Sequence, residues 1–308
     1  STRQHQGPGP LHEIEFWRQR NAALSPLYEL LSLQQVKEVQ RVMTRMELPR
    51  MSTFKSQLSE IKKLYEEAKD NVKFLTTLER HFKNLARGNL SIILDTIPSM
   101  MAGMRMVWII SRNYNTDERV VPLMERIATE ISSNVASKIH IQTIFSKPPA
   151  EILDIIRLAK DVLESWFSNY MDVREKIEKS GTDHRWEFDK RRLFDKTRYM
   201  AKICDNLFSI ATALDEFFKF LGPELKEVTG EGERVDELIQ RVKGLVLPLE
   251  AAQRNCDIFN PKYQSVWESL VLDFRQKVEE IELETTDFID KSFRQLRSAE
   301  GAFNLLEN

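Results

Sequence analysis

The sequence predicts an all-α protein, an elongated array of long antiparallel helices that form successive helical bundles. Three observations support this fold class. Apolar residues recur at steps of three and four over long stretches, which is the periodicity of one buried helix face. Only 10 Gly and 11 Pro occur among 308 residues, which favours long helices over many short strands. The 42% of hydrophobic residues are enough to build a core.

The N-terminal half begins with a flexible lead-in over residues 1–10, which is rich in Gly and Pro. Helices are predicted over residues 11–46 and 117–145. Residues 90–112 are less simple, because the apolar run at 106–110 would also suit a buried strand. No partner strand of similar quality lies nearby, so the prediction is a buried helix kinked at Pro98.

One further helix of this half has a clear apolar stripe, which runs from Phe54 to Leu85. Ser52 or Thr53 is expected to cap its start. Gly88 follows its end. The stripe places one face of this helix in a core.

Three long helices are predicted in the C-terminal half, each with an apolar stripe bounded by Pro or Gly. The stripes cover residues 152–177, 200–221 and 267–296. The last helix would be roughly 50 Å long at 1.5 Å per residue, a length that suits bundles or coiled coils. Between the second and third, a loop is predicted at 229–233 and a bend or break at Pro248.

Pro148 and Pro149 mark the expected domain boundary. Residues 11–147 would form one or more N-terminal helical bundles. Residues 148–308 would form one or more C-terminal bundles, truncated at the C-terminus.

No sequence feature indicates a catalytic, cofactor or metal site. Cys204 and Cys256 lie in apolar helical patterns and predict reduced, buried thiols. The five histidines are scattered, and no two lie three or four residues apart. Neither Gly7–Gly9 nor Gly230–Gly232 suits a phosphate, since the first has prolines without N–H groups and the second has carboxylates. A catalytic constellation formed only in three dimensions stays open.

The charge balance argues against nucleic acid and membranes as partners. The net charge is −2, so no overall field attracts either. No apolar run approaches the roughly 18 residues of a membrane span. The distribution is uneven, however, because residues 1–92 are basic and residues 273–308 are acidic.

A mixed basic and aromatic segment at 185–192 is the candidate interaction surface. Its proposed contact residues are Arg185, Trp186, Lys190, Arg191 and Arg192. Nucleic-acid binding by such a mixture is disfavoured by the interspersed Glu187 and Asp189. A contact surface for another protein and a simple solvated face both remain open, and Trp186 and Phe188 would also suit helix anchoring.

Methionine and tryptophan residues allow the same two interpretations. Four methionines at 100–106 are expected to fill the core, with an adaptable partner surface as the alternative. All five tryptophans lie within apolar patterns and are expected to anchor packing, with an interface role as the alternative. They are Trp17, Trp108, Trp166, Trp186 and Trp267.

Four stretches, in this order along the chain, resemble the first conserved region of dynein heavy-chain tails. They are LHEIEFWRQRN at 11–21, SRNYNTDERVVPLMERI at 111–127, RWEFDKRRLF at 185–194 and SFRQLRSAEGAF at 292–303. The run NTDER at 115–119 resembles axonemal more than cytoplasmic forms.

The resemblance implies a non-catalytic stem segment, because the phosphate-binding loops of that family belong to its ATPase ring. It implies scaffolding of heavy, intermediate and light chains, with indirect attachment to doublet microtubules and no cofactor. It also implies a cytoskeletal location, in the axoneme of a cilium or flagellum. Two other classes stay open: a direct microtubule-binding module using residues 1–92 and 185–202, and an enzyme with a hidden site.

Overall fold

The computed structural model describes residues 9–181, 185–229 and 231–306, and these contain helices and no β-strand. The prediction of an all-α fold is confirmed. The lead-in up to Pro8, His184 and Gly230 of the predicted loop lie outside the described residues.

The described chain forms thirteen α-helices and two short 3-10 helices. In the N-terminal half they are α1 (Leu11–Ser32), α2 (Gln34–Arg45), α3 (Met51–Leu75), a 3-10 helix (Thr76–Leu78), α4 (Glu79–Ala86), α5 (Leu90–Ile110), α6 (Asp117–Lys138) and α7 (Ile141–Ile144). The C-terminal half contains α8 (Pro149–Ser180), α9 (Lys190–Phe220), α10 (Pro223–Thr229), α11 (Gly232–Gly244), α12 (Leu247–Asn255), a 3-10 helix (Pro261–Tyr263) and α13 (Gln264–Leu306).

Three helices predicted as continuous are interrupted at places without Pro or Gly. The helix expected over 117–145 stops at Lys138 and resumes as α7 at Ile141. The helix expected over 11–46 breaks at Leu33, whose ψ of 144° is extended. The helix expected from the Phe54 stripe, which ends before Gly88, is interrupted by the 3-10 helix at Thr76–Leu78. There the Thr76 hydroxyl donates to the carbonyl of Val72. Such side-chain bonds to the helix backbone compete with regular helix geometry.

The cap predicted for the helix of the Phe54 stripe is wrong. Ser52 and Thr53 lie inside α3, and its N-cap is Arg50, which makes no side-chain capping bond. The hydrophobic side chain of Met51 is buried at this start. Burial of Met51, rather than a polar cap, therefore accompanies the helix start.

Most predicted boundaries in the C-terminal half are confirmed, but the loop predicted at 229–233 is shorter, because α10 ends at Thr229 and α11 begins at Gly232. Helix α8 begins at Pro149 and is followed by Gly181 at φ +62°, a conformation that favours glycine. Helix α9 ends at Phe220, just before Gly222. Helices α11 and α12 are separate, as the bend at Pro248 predicts.

Helix α13 buries the predicted stripe along its length. Every position of the stripe with a described side chain, from Trp267 to Ser292, is at most 9% exposed. The amide of Lys262 donates to the Asn260 side chain at 3.0 Å and caps the preceding turn. The three-four spacing in the sequence therefore identifies the packed face correctly.

Helix α5 confirms the helical interpretation of residues 90–112, with Pro98 inside it. Met100, Met101 and Met104 are buried, whereas Met106 is 52% exposed. Among the described residues, α5 is the helix long and apolar enough to cross a membrane by length and composition. Polar residues are interspersed along α5, so the sequence contains no uninterrupted apolar run of this length. Nine residues of α5, however, are buried in the protein core.

The chain divides into two compact units that alternate along the sequence. Unit 1 contains the chain up to Asn134 together with Val162–Thr197. Unit 2 contains Val135–Asp161 and the chain from Arg198. Helices α6, α8 and α9 therefore contribute residues to both units. The domain boundary at Pro148 and Pro149 stays a prediction.

The five tryptophans are buried, which confirms their role as packing anchors. None is more than 8% exposed. Trp17, Trp108, Trp166 and Trp186 belong to unit 1, and Trp267 belongs to unit 2. Buried aromatic side chains of this size contribute strongly to core packing.

Candidate interaction surface

The segment at residues 185–192, called the contact segment below, rests on a cluster of buried aromatic rings in unit 1. Trp186 is 2% exposed and Phe188 is 5% exposed. Both rings meet the ring of Trp108 edge to face, with centroids 6.2 and 5.1 Å apart. One proposed contact residue, Trp186, is thus placed in the core beneath the segment, where such ring pairs add to the energy of burial.

A hydrogen bond to α8 also fixes the backbone of the contact segment. The amide N–H of Phe188 donates to the hydroxyl of Tyr170 on α8 at 3.0 Å. Burial raises the pKa of Tyr170, which keeps the phenol neutral. The non-helical stretch before α9 therefore has a fixed backbone as well as fixed side chains.

Arg192 uses its guanidinium within unit 1. Its Nε and Nη2 atoms lie 2.7 and 2.8 Å from the two carboxylate oxygens of Glu125 on α6. This paired hydrogen bond raises the pKa of Arg192. Arg192 therefore links α9 to α6, although its side chain is still 55% exposed.

The remaining basic residues of the segment face solvent. Arg185 and Arg191 are exposed and Lys190 is half-buried. None of the three side chains has an ion pair with another described residue. The neighbouring Glu187 is 3.2 Å from Arg174, which offsets its negative charge. Asp189 accepts a hydrogen bond from the amide of Arg191 at 3.0 Å. The two acidic residues of the segment, Glu187 and Asp189, thus both have partners close to the segment.

Sequence reasoning missed a buried polar cluster that joins the start of α1 to the loop after α5. The indole N–H of Trp17 lies 2.8 Å from the Tyr114 hydroxyl and 3.2 Å from Oε1 of Glu13. The Tyr114 hydroxyl donates to the same Glu13 oxygen. Burial raises the pKa of Tyr114, so it stays a donor. Arg126 lies 3.6 Å from the other Glu13 oxygen and balances the charge.

This cluster connects two of the four stretches that carry the family resemblance. Glu13 and Trp17 belong to residues 11–21, and Tyr114 and Arg126 belong to residues 111–127. The carboxylate is 7% exposed and surrounded by donors, so it holds two segments together. One signal was available: Glu13 lies one helical turn before Trp17 in an apolar pattern.

No group of three metal-binding side chains occurs among the residues whose placement is described. Cys204 is buried and Cys256 is half-buried, and neither forms a disulfide. The contact segment thus combines exposed positive charge with a base of buried aromatic rings.

The family model and the individual relatives that match this chain all belong to one family. The family described as "Dynein heavy chain, N-terminal region 1" matches residues 1–308. The chain is 50% identical over 304 residues to the Dynein-1-alpha heavy chain of the flagellar inner arm I1 complex of Chlamydomonas reinhardtii. That match covers 98% of this chain and 6% of the relative.

Two further relatives match this chain over nearly its whole length and over a similarly small part of their own. The chain is 44% identical over 291 residues to Dynein axonemal heavy chain 10 of Homo sapiens, covering 94% of this chain and 6% of the relative. It is 22% identical over 314 residues to the Dynein beta chain of the flagellar outer arm of Chlamydomonas reinhardtii, covering 98% of this chain and 7% of the relative. The chain thus spans about 6% of the length of the first two relatives.

Proposed function

This chain belongs to the dynein heavy chain family, as its N-terminal region 1, and on this premise we propose that it is an assembly scaffold. The matched region is part of the tail and not of the ATPase motor domains. Its relatives are axonemal heavy chains of flagella and cilia, so its location is the axonemal cytoskeleton. In the proposed role, it holds heavy, intermediate and light chains together and thereby anchors the motor on the doublet microtubule.

The observation that supports this role most is the placement of basic residues at the start of α9. Lys190, Arg191 and Arg192 occupy the first turn of that helix. The positive end of the helix dipole disfavours cations there, typically by about 0.3–1 kcal/mol for each exposed charge. Local rules broken in this way are expected at functional sites.

The base of buried aromatic rings supports the same role. Trp186, Phe188 and the Tyr170 hydroxyl hold the backbone that carries Arg185 and Arg191. A preorganised backbone loses less conformational entropy on binding. The expected partner surface is acidic, since complementary charge supplies specificity and rapid association.

A charge-reversal experiment tests the role of the contact segment. The immobilised chain is incubated with ciliary extract, and the retained proteins are identified by mass spectrometry. We expect wild type to retain dynein heavy, intermediate or light chains. The double variant Arg185→Glu/Arg191→Glu should retain about tenfold less, because repulsion replaces attraction.

The matched control is Lys243→Glu/Arg275→Glu, which reverses two exposed positive charges in unit 2. It should retain as much as wild type. Equal retention by both double variants would contradict the contact segment, and retention of no dynein subunit by wild type would contradict the scaffold.

Direct microtubule binding is the second candidate, because residues 1–92 carry an excess of basic side chains. Co-sedimentation with bare microtubules at low and physiological salt separates the two functions. The scaffold predicts no binding without partner subunits. Binding that falls steeply with salt would favour the second candidate.

A further inference from the structure

Helices α1, α2 and α3 of unit 1 expose a group of large apolar side chains, called the apolar face below. Helix α2 has no buried residue at all. The apolar face consists of Leu30, Leu33, Val39, Val42, Met46 and Phe54. Each of the six is at least 37% exposed. Single exposed apolar residues are ordinary, but a group of six within 25 positions is typical of a segment that binds a partner.

The spacing on α2 is that of a packing face. Val39, Val42 and Met46 follow one another at steps of three and four, so they lie on one side of the helix. Such a side normally faces a core. Here it faces solvent in the described structure.

The apolar stripe of α3 gives the same result. The sequence pattern begins at Phe54, but the first buried residue of the stripe is Ala68. Helices α1 and α3 are held together where Tyr28 stacks on Tyr65, with centroids 4.2 Å apart. The apolar face lies in the chain between these two tyrosines. The stripe therefore continues past the part of α3 that the rest of unit 1 covers.

The segment that carries most of the apolar face has an excess of positive charge. Residues 34–58 contain five basic and two acidic side chains. The exposed Arg41 pairs with Glu38 at 2.7 Å. The other basic residues make no ion pair with a described residue, and all are exposed: Lys37, Arg45, Arg50 and Lys55. A complementary surface would have an apolar stripe and an excess of carboxylates.

We propose that the apolar face docks an acidic amphipathic helix of another polypeptide. An incoming helix would place its apolar side on Val39, Val42 and Met46, as in helix-in-groove recognition. Its acidic residues would meet the excess of positive charge in this segment, including Arg45 next to Met46. The site is distinct from the contact segment and extends the proposed scaffold by a second surface.

The charges also disfavour two other occupants. A second copy of this chain, related by a twofold axis, would bring the same positive charge against itself. An anionic membrane would also attract basic residues. The face spans three helices, however, and not the single amphipathic helix of an interfacial anchor.

A pair of synthetic peptides tests the proposal on the whole chain. The probe is a fluorescent amphipathic helix with a leucine stripe and glutamates elsewhere, and its counterpart has lysines in place of the glutamates. Fluorescence anisotropy gives both affinities. The acidic peptide should bind at least about tenfold more tightly than the basic one.

Three variants locate the binding. Val39→Ser/Val42→Ser/Met46→Ser should weaken binding of the acidic peptide by about tenfold or more, because it removes three apolar contacts. Val266→Ser/Leu272→Ser/Leu283→Ser removes three exposed apolar side chains from α13 and should leave binding unchanged. Lys37→Glu/Arg45→Glu/Lys55→Glu should reverse the preference between the two peptides.

Several outcomes would overturn the proposal. Equal binding of both peptides, or no effect of the serine variant on α2, would exclude the docking site. Concentration-dependent dimerisation that this variant abolishes would assign the face to a second copy. Sedimentation with phosphatidylserine vesicles that the same variant abolishes would assign it to a membrane. None of these results bears on the contact segment, whose variants lie elsewhere.

Discussion

At the level of single residues, the carboxylate of Glu79 shows how one charge can connect helices. Arg18 on α1 places its Nη2 atom 2.5 Å from one Glu79 oxygen, and Lys83 on α4 lies 2.9 Å from the other. The hydrogen bonds from Arg18 and Lys83 lower the pKa of Glu79 to about 2. The ionised form is therefore favoured in the folded state.

This pKa shift predicts a pH-dependent effect of Glu79→Gln. The folded pKa lies below the ordinary value of 4.5, so the stabilisation is present above that pH and is lost as pH falls towards 2. Because the partners are partly exposed, we expect Glu79→Gln to reduce the free energy of unfolding by about 0.5–1 kcal/mol at neutral pH. The difference from wild type should shrink as the pH is lowered below 4.5.

Urea unfolding at neutral and acidic pH measures this difference. Glu60→Gln is the control, because Glu60 is exposed and has no ion pair with a described residue. It should change stability little at either pH. A difference for Glu79→Gln that is the same at both pH values would refute the linkage.

Gly181 gives a second prediction for a single residue. Its φ is +62°, and nothing lies within 4 Å of an added Cβ atom. Gly181→Ala should therefore cost about 1 kcal/mol through backbone conformation alone. Gly244 also has open space around it but an ordinary helical φ, so Gly244→Ala should be neutral or stabilising. Thermal unfolding compares the two, and an equal effect would contradict the argument.

At the level of elements, the support of the contact segment depends on one hydroxyl. Tyr170→Phe keeps the buried ring but leaves the Phe188 amide without its acceptor. We expect a loss of about 1–3 kcal/mol in the free energy of unfolding, since a buried donor is left unpaired. Hydrogen exchange measured by mass spectrometry should become faster in peptides that cover 185–192.

Tyr28→Phe is the matched control for that substitution. Tyr28 stacks on Tyr65 through its ring, and the substitution preserves the ring. Exchange at 185–192 should stay at the wild-type rate. Unchanged exchange in Tyr170→Phe as well would show that the hydrogen bond does not hold the segment.

The sequence predicts an element where a local signal marks its ends. Helices α8, α9 and α13 each have Pro or Gly next to at least one end, and their apolar stripes are long enough to identify the buried face. The breaks at Leu33 and Thr76 have no such signal. They depend on an extended backbone and on a hydroxyl bond to a carbonyl, which composition does not reveal.

The candidate site was predictable in part for the same reason. Its basic content is visible in the sequence, and so is the possibility that Trp186 is an anchor. The pairing of Arg192 with Glu125 is not visible, because 67 positions separate the two. The bond between Glu13 and Tyr114 spans 101 positions and was missed entirely. Contacts between residues this far apart in the sequence can be identified only once the fold is known.

At the scale of the whole molecule, we keep the domain boundary at Pro148 as a proposal. Residues 146–148 are exposed between α7 and α8, which suits cleavage by a protease of broad specificity. Brief digestion with subtilisin should first cut there and give two initial fragments. First cuts elsewhere, with 146–148 intact in the initial products, would contradict the boundary.

The placement of the tryptophans allows intrinsic fluorescence to follow the unfolding of one unit. Unit 2 contains one of the five, Trp267, which is 1% exposed, and unit 1 contains the other four. In Trp267→Phe the remaining emission would arise from unit 1 alone, whereas circular dichroism would still follow helices in both units. Loss of emission and loss of ellipticity should then coincide during denaturation if the units melt together. Two separate curves would mean that each unit unfolds by itself.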